Sequence, residues 1–174
     1  PEIQRPLDGA QTLVAWLHIS NACNLRCRYC YLRKTNEAMD FETGCAAIDA
    51  TVRSALAHGY REIKLKYAGG EPLIRFPLVA DLHRYARGLA DRYHLSVDGV
   101  VLSNGTLLTS EMVETMLSLG LRLMISLDGL GDFHNCQRPY ANGRSSAADV
   151  TCAIDLALTY GPVSYTHLTL PTKA

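Results

Sequence analysis

The chain has 174 residues, of which 48% are apolar, with 17 Lys plus Arg against 17 Asp plus Glu. That suits one domain or a large part of one, and the balanced charge gives no electrostatic case for nucleic acid or an anionic membrane surface. No apolar run reaches the length of a membrane span, and the opening residues show no charged region leading into an apolar core.

The first predicted element is "LVAWLHIS" (13–20), a short apolar run of strand character. It leads into "NACNLRCRYCYLRK" (21–34), which is rich in cysteine. "FETGCAAIDATVRSALAHGY" (41–60) places Ile48, Val52, Ala55 and Leu56 at helical spacing and closes near Gly59. "EIKLKYAGGEP" (62–72) alternates Ile63, Leu65 and Tyr67 and then stops at two glycines, which reads as a strand feeding a turn. A helix is expected over 78–94 and a strand within 95–106, ending at Asn104-Gly105. The next helix, over 109–120, takes Thr109 or Ser110 as its cap and stops at Gly120. "LRLMISLDG" (121–129) is a fourth strand. An irregular stretch follows, then a helix over 146–161.

Strands therefore alternate with helix-length segments, the pattern of right-handed crossovers and a parallel α/β sheet. The cysteine loop, "AGGEP", "SNGT" and "SLDG" each fall at the C-terminal end of a strand. In parallel α/β folds that rim binds ligands, so four clusters on one rim point to one site. The last stretch, "VSYTHLTLPTKA" (163–174), breaks the pattern. It resembles the translation of a transposon-derived adapter used in sequencing libraries and is read as a non-native tail. Residues 1–162 then form the N-terminal part of one truncated core domain.

Cys23, Cys27 and Cys30 crowd three of the six cysteines into eight positions. A structural zinc site wants four ligands, usually in two paired clusters, and here only His18 or Cys45 could complete one. A redox pair would use Cys27 and Cys30 and leave Cys23 unexplained. An iron–sulfur site explains all three: three thiolates hold three irons of a cube, and the fourth iron is left for a small ligand. The absence of a secretion signal agrees with thiols kept reduced in the cytoplasm.

C-x3-C-x2-C after the first strand, with Tyr29 before the last cysteine, resembles the radical S-adenosylmethionine (radical SAM) superfamily. "YAGGEPL" (67–73), "LSNGT" (102–106) and "SLDG" (126–129) extend the resemblance, which runs over about residues 12–161. It lies toward the branch that matures peptides and sulfatases, whose members often carry a C-terminal SPASM domain. The resemblance implies a (βα)6 TIM-like barrel, here partial, with about four βα units present.

It also implies an enzyme. Cys23, Cys27 and Cys30 would hold a [4Fe-4S] cluster whose free iron chelates S-adenosylmethionine. An electron from a flavodoxin or ferredoxin would cleave the sulfonium, and the resulting 5′-deoxyadenosyl radical would abstract hydrogen from a peptide or protein substrate. Gly69 and Gly70 would let the backbone approach the methionine moiety, and Glu71 would accept from its amino group. Tyr29 and Asn104 would face the cofactor, Ser126 and Asp128 the ribose, and Arg138 the carboxylate. His134-Asn135 departs from the branch, where an acid commonly follows the histidine. The rival reading is an iron–sulfur electron-transfer or regulatory protein without S-adenosylmethionine chemistry, and a zinc-stabilised module is the third.

The remaining single residues are given plainer expectations. Trp16 is a packed strand residue, and Cys45 and Cys152 belong to the core. Cys136 is a free structural cysteine. His58, His83 and His94 are surface or capping groups, and Arg26 and Arg28 flank the cluster.

Overall fold

A computed structural model describes residues 11–160 and 164–168. Five strands form one sheet in the order β1-β2-β3-β4-β5, every neighbouring pair parallel. They are β1 (Thr12–Ser20), β2 (Glu62–Gly69), β3 (Ser96–Ser103), β4 (Leu121–Leu127) and β5 (Ser164–Leu168). The helices between them are α1 (Phe41–His58), α2 (Phe76–Tyr93), α3 (Ser110–Leu119), the short α4 (Asp132–Gln137) and α5 (Ala147–Thr159). Sequential order without a reversal makes this an arc of a βα barrel, not a doubly wound sheet.

The elements form where local chemistry asks for them. Asp40 caps α1 by accepting from the Thr43 N–H at 2.7 Å, and Gly59 ends it in the left-handed region at φ 74°. Thr109 caps α3 through the Met112 N–H, and Gly120 closes it at φ 68°. The alternation along the strands sorts the two faces. Ile63, Leu65 and Tyr67 of β2 and Leu121, Leu123 and Ile125 of β4 are buried against the helices with Ile48, Val52, Val79 and Leu82.

The opposite face is mixed and carries a cluster of charges. Asp98 of β3 pairs with Lys64 of β2 at 3.0 Å and with Arg122 of β4. Buried parallel strands normally read as continuous apolar runs. The alternation here therefore marks a concave inner wall that carries charge.

Three expectations are corrected. Trp16 is 61% exposed on that inner wall, with the Lys66 ammonium 4.5 Å from its ring centroid. His83 is buried, not a surface group, and its Nδ1 lies 3.1 Å from the Tyr67 hydroxyl. Cys152 is exposed, and Cys45 is half-buried. The irregular stretch after β4 contains α4.

Residues 164–168 fall in the segment set aside as a tail, of which residues 163 and 169–174 lie outside the described residues. There β5 pairs in parallel with the outer edge of β4, from Leu123 opposite Ser164 to Leu127 opposite Leu168.

Candidate functional site

The cysteine loop leaves β1 and is bound on two sides. Asn21 N donates to Glu37 O at 2.9 Å and Met39 N to Ile19 O at 2.9 Å, closing the loop at its base. Across the rim, Arg26 N donates to Pro139 O, Arg28 N to Gln137 O and Ala141 N to Asn24 O, at 2.8, 2.9 and 3.0 Å. Leu25, fully buried, pins the centre. So fixed, Cys23, Cys27 and Cys30 line one cavity of about 520 Å³ with Gly69, Gly70, Asn104, Ser126, Tyr29 and Arg138.

The end of β2 crosses directly over the start of this loop. Gly70 N donates to Ser20 O at 2.6 Å and Glu71 N to Ala22 O at 2.8 Å. A Cβ on Gly70 would lie 2.1 Å from the Ala22 carbonyl oxygen. One on Gly69, whose φ is 129°, would lie 2.6 Å from that of Ser20. The glycines are thus required first by backbone meeting backbone, and the same nakedness leaves them on the cavity wall.

Glu71 does not line the cavity. Its carboxylate has no exposed surface and accepts from Leu73 N (3.0 Å), Ser103 Oγ (2.8 Å) and Asn104 N (2.8 Å). Burial pushes its pKa up, and those hydrogen bonds oppose the rise. The expected acceptor for a ligand amino group is instead a brace between the ends of β2 and β3.

Asn104 is held in turn. Its Nδ2 donates to Asn24 Oδ1 at 2.9 Å, and its Oδ1 accepts from the Thr106 N–H and hydroxyl. It therefore ties β3 to the cysteine loop as well as facing the cavity. On the far side Asp128, buried, accepts from the Tyr29 hydroxyl and sits 2.9 Å from Arg138 Nε. Asp128 lies behind the cavity, whereas Ser126 opens onto it.

The thiols differ electrically. Burial pushes Cys23 and Cys27 up. Burial pushes Cys30 up too, but the Lys34 ammonium, 2.9 Å from its sulfur, and the Leu32 backbone outweigh it, so the net shift is downward. Among the described residues no three His, Cys, Asp or Glu side chains converge closely enough to hold a single metal ion.

Of the residues expected here, the structure gathers the three cysteines, Tyr29, Gly69, Gly70, Asn104, Ser126 and Arg138 on one wall, with Glu71 and Asp128 behind it. The sequence reading missed Trp16, His18, Lys34 and Leu102, which also line the cavity. Trp16 and His18 were findable: they share one strand face at a spacing of two and lead to the cysteine loop. His18 Nε2 lies 2.7 Å from Asn21 Oδ1.

The chain matches the Radical SAM superfamily over residues 17–173. It is 35% identical over 145 residues to an uncharacterised protein of Methanocaldococcus jannaschii, covering 82% of this chain and 47% of that protein. It is 32% identical over 146 residues to the serine-type anaerobic sulfatase-maturating enzyme of Klebsiella aerogenes, covering 79% and 35%. The chain thus spans half or less of the length of these relatives. Among solved structures, native anSMEcpe with bound AdoMet and Cp18Cys peptide superposes with a TM-score of 0.77 at 22% identity. That alignment covers 89% of this chain and 42% of that one. At that identity the likeness concerns the fold.

Proposed function

Because the chain belongs to the radical SAM superfamily, we propose that residues 1–162 are the N-terminal part of an enzyme core that holds a [4Fe-4S] cluster on Cys23, Cys27 and Cys30 and S-adenosylmethionine beside it. Residues 163–174 are read as an adapter-derived tail. One observation carries the proposal: three thiols and a side-chain-free Gly69-Gly70 turn line the same 520 Å³ cavity. The turn is required by the backbone packing, and the same bareness leaves room on the cavity wall for a small ligand beside the thiols. When bound, the cluster and S-adenosylmethionine supply one-electron cleavage of the sulfonium and hydrogen abstraction from a substrate.

The chain's own residues bind and orient. Gly69 and Gly70 present bare backbone, Asn104 a preset amide and Ser126 a hydroxyl. Arg138, held by Asp128 and stacked 5.4 Å from the Tyr29 ring, offers a guanidinium suited to a carboxylate. Trp16 and Leu102 give the cavity an apolar side. A peptide or protein substrate is supported by the likeness to sulfatase-maturating enzymes. A flavodoxin or ferredoxin as one-electron reductant is proposed from the family, and a cytoplasmic setting is in keeping with cysteines kept as free thiols. No described helix is long and apolar enough to cross a membrane.

The test is anaerobic reconstitution of the full-length protein with iron and sulfide, reduction, and assay for 5′-deoxyadenosine; residues 1–174 alone should show little turnover. Product from the wild type and none after replacing all three cysteines by alanine is the expected result. Undiminished product from the triple variant would overturn the proposal.

A further inference from the structure

Two cations approach the cysteines from inside the cavity, and they are not equivalent. Arg138 lies 2.9 Å from the Asp128 carboxylate, so much of its charge is answered locally. Lys34 instead points its ammonium at a sulfur: Nζ donates to Cys30 Sγ at 2.9 Å. The side chain is half-buried, lines the same cavity, and its charge also bears on Cys23 and Cys27. Glu71 acts on Cys23 in the opposite sense from behind the wall.

We propose that Lys34 is a positioning residue that raises the reduction potential of a cluster held by Cys23, Cys27 and Cys30, through its N–H···S hydrogen bond to Cys30. The inference rests on the proposed function, because it needs a cluster on those thiolates. Reduction adds one electron and hence one unit of negative charge to the cluster. A cation hydrogen-bonded to a ligand sulfur stabilises the electron-rich form more than the oxidised one. Partial burial keeps that contact from being fully screened by water. The effect belongs to the equilibrium of electron entry, so it is readable without substrate and without S-adenosylmethionine.

The experiment is an EPR-monitored redox titration of the reconstituted protein, with dithionite as reductant and mediator dyes. Lys34→Met removes both charge and donor. Reduction should become about tenfold less favourable, which for a one-electron couple is a midpoint about 59 mV more negative. Lys34→Gln keeps a neutral donor and should fall between wild type and Lys34→Met. Lys34→Arg should stay close to wild type. Should Lys34→Met fail to assemble a cluster, Lys34→Gln decides, because it removes the charge and keeps a polar donor. Wild-type iron and sulfide content with an unchanged midpoint in Lys34→Gln or Lys34→Met overturns the proposal alone. A wild-type protein that assembles no cluster overturns the proposed function, and this inference with it.

Discussion

Glu71 has no exposed surface, and both of its carboxylate oxygens are engaged by donors from the ends of β2 and β3. Glu71→Gln would turn an NH2 toward one of those donors. It should cost roughly 1–3 kcal/mol in urea denaturation of the cluster-free protein, the usual penalty for a buried group left unsatisfied. Gly70→Ala should cost roughly 2–4 kcal/mol by the same measurement, because its Cβ would meet the Ala22 carbonyl oxygen at 2.1 Å and backbone cannot rotate away as a side chain can. It should also prevent cluster uptake, since the cysteine loop is hydrogen-bonded to that turn. At this scale the cysteines were legible because their meaning lies in spacing along the chain. The direction of the Glu71 side chain was not, because it is set by Ser103 and Asn104, more than thirty positions away.

Between elements, the clearest case is the buried pair of Tyr67 on β2 and His83 on α2. Gly99 of β3 makes their room: a Cβ there would lie 2.5 Å from the His83 ring. The ring is flanked by the Tyr67 hydroxyl, the backbone of Leu119 at the end of α3, Arg87 on its own helix and Asp98 on β3. Burial, first of all, lowers the His83 pKa from 6.5 to about 4. Its folded-state pKa is depressed, so the associated stability is fully present above pH 6.5 and is lost as pH falls through about 4. At about 1.36 kcal/mol per unit, the loss is roughly 3 kcal/mol. Denaturation at pH 7 and pH 4.5 should show wild type losing more stability than His83→Gln, which does not titrate. Equal losses would contradict this. The helical pattern of α2 was readable in the sequence, but not which face its histidine took. A single His at an interior helical position looks the same whether it meets solvent or a facing tyrosine. Trp16 was misplaced for the same reason, because the sheet has two faces and only contact with a helix says which is the core.

For the whole molecule, alternation of strand and helix gave the parallel order directly, since a crossover helix forces neighbouring strands to run the same way. The charged inner wall of Lys64, Asp98 and Arg122 was not anticipated, because alternating strands are the signature of a sheet with one wet face and parallel sheets seldom have one. An arc of strands also leaves β1 with a partner on one side only among the described strands. Residues 1–174 expressed alone should therefore self-associate, visible as species larger than a monomer by light scattering after size exclusion. A sharp monomer at high concentration would contradict that. The central claim is a cluster with one iron open to S-adenosylmethionine, and its most direct test is spectroscopic. The reconstituted, reduced protein is examined by EPR before and after adding S-adenosylmethionine. The account predicts about four irons and four sulfides per chain and a signal that changes on addition. Stoichiometric zinc, or a cluster whose signal ignores S-adenosylmethionine, would contradict it.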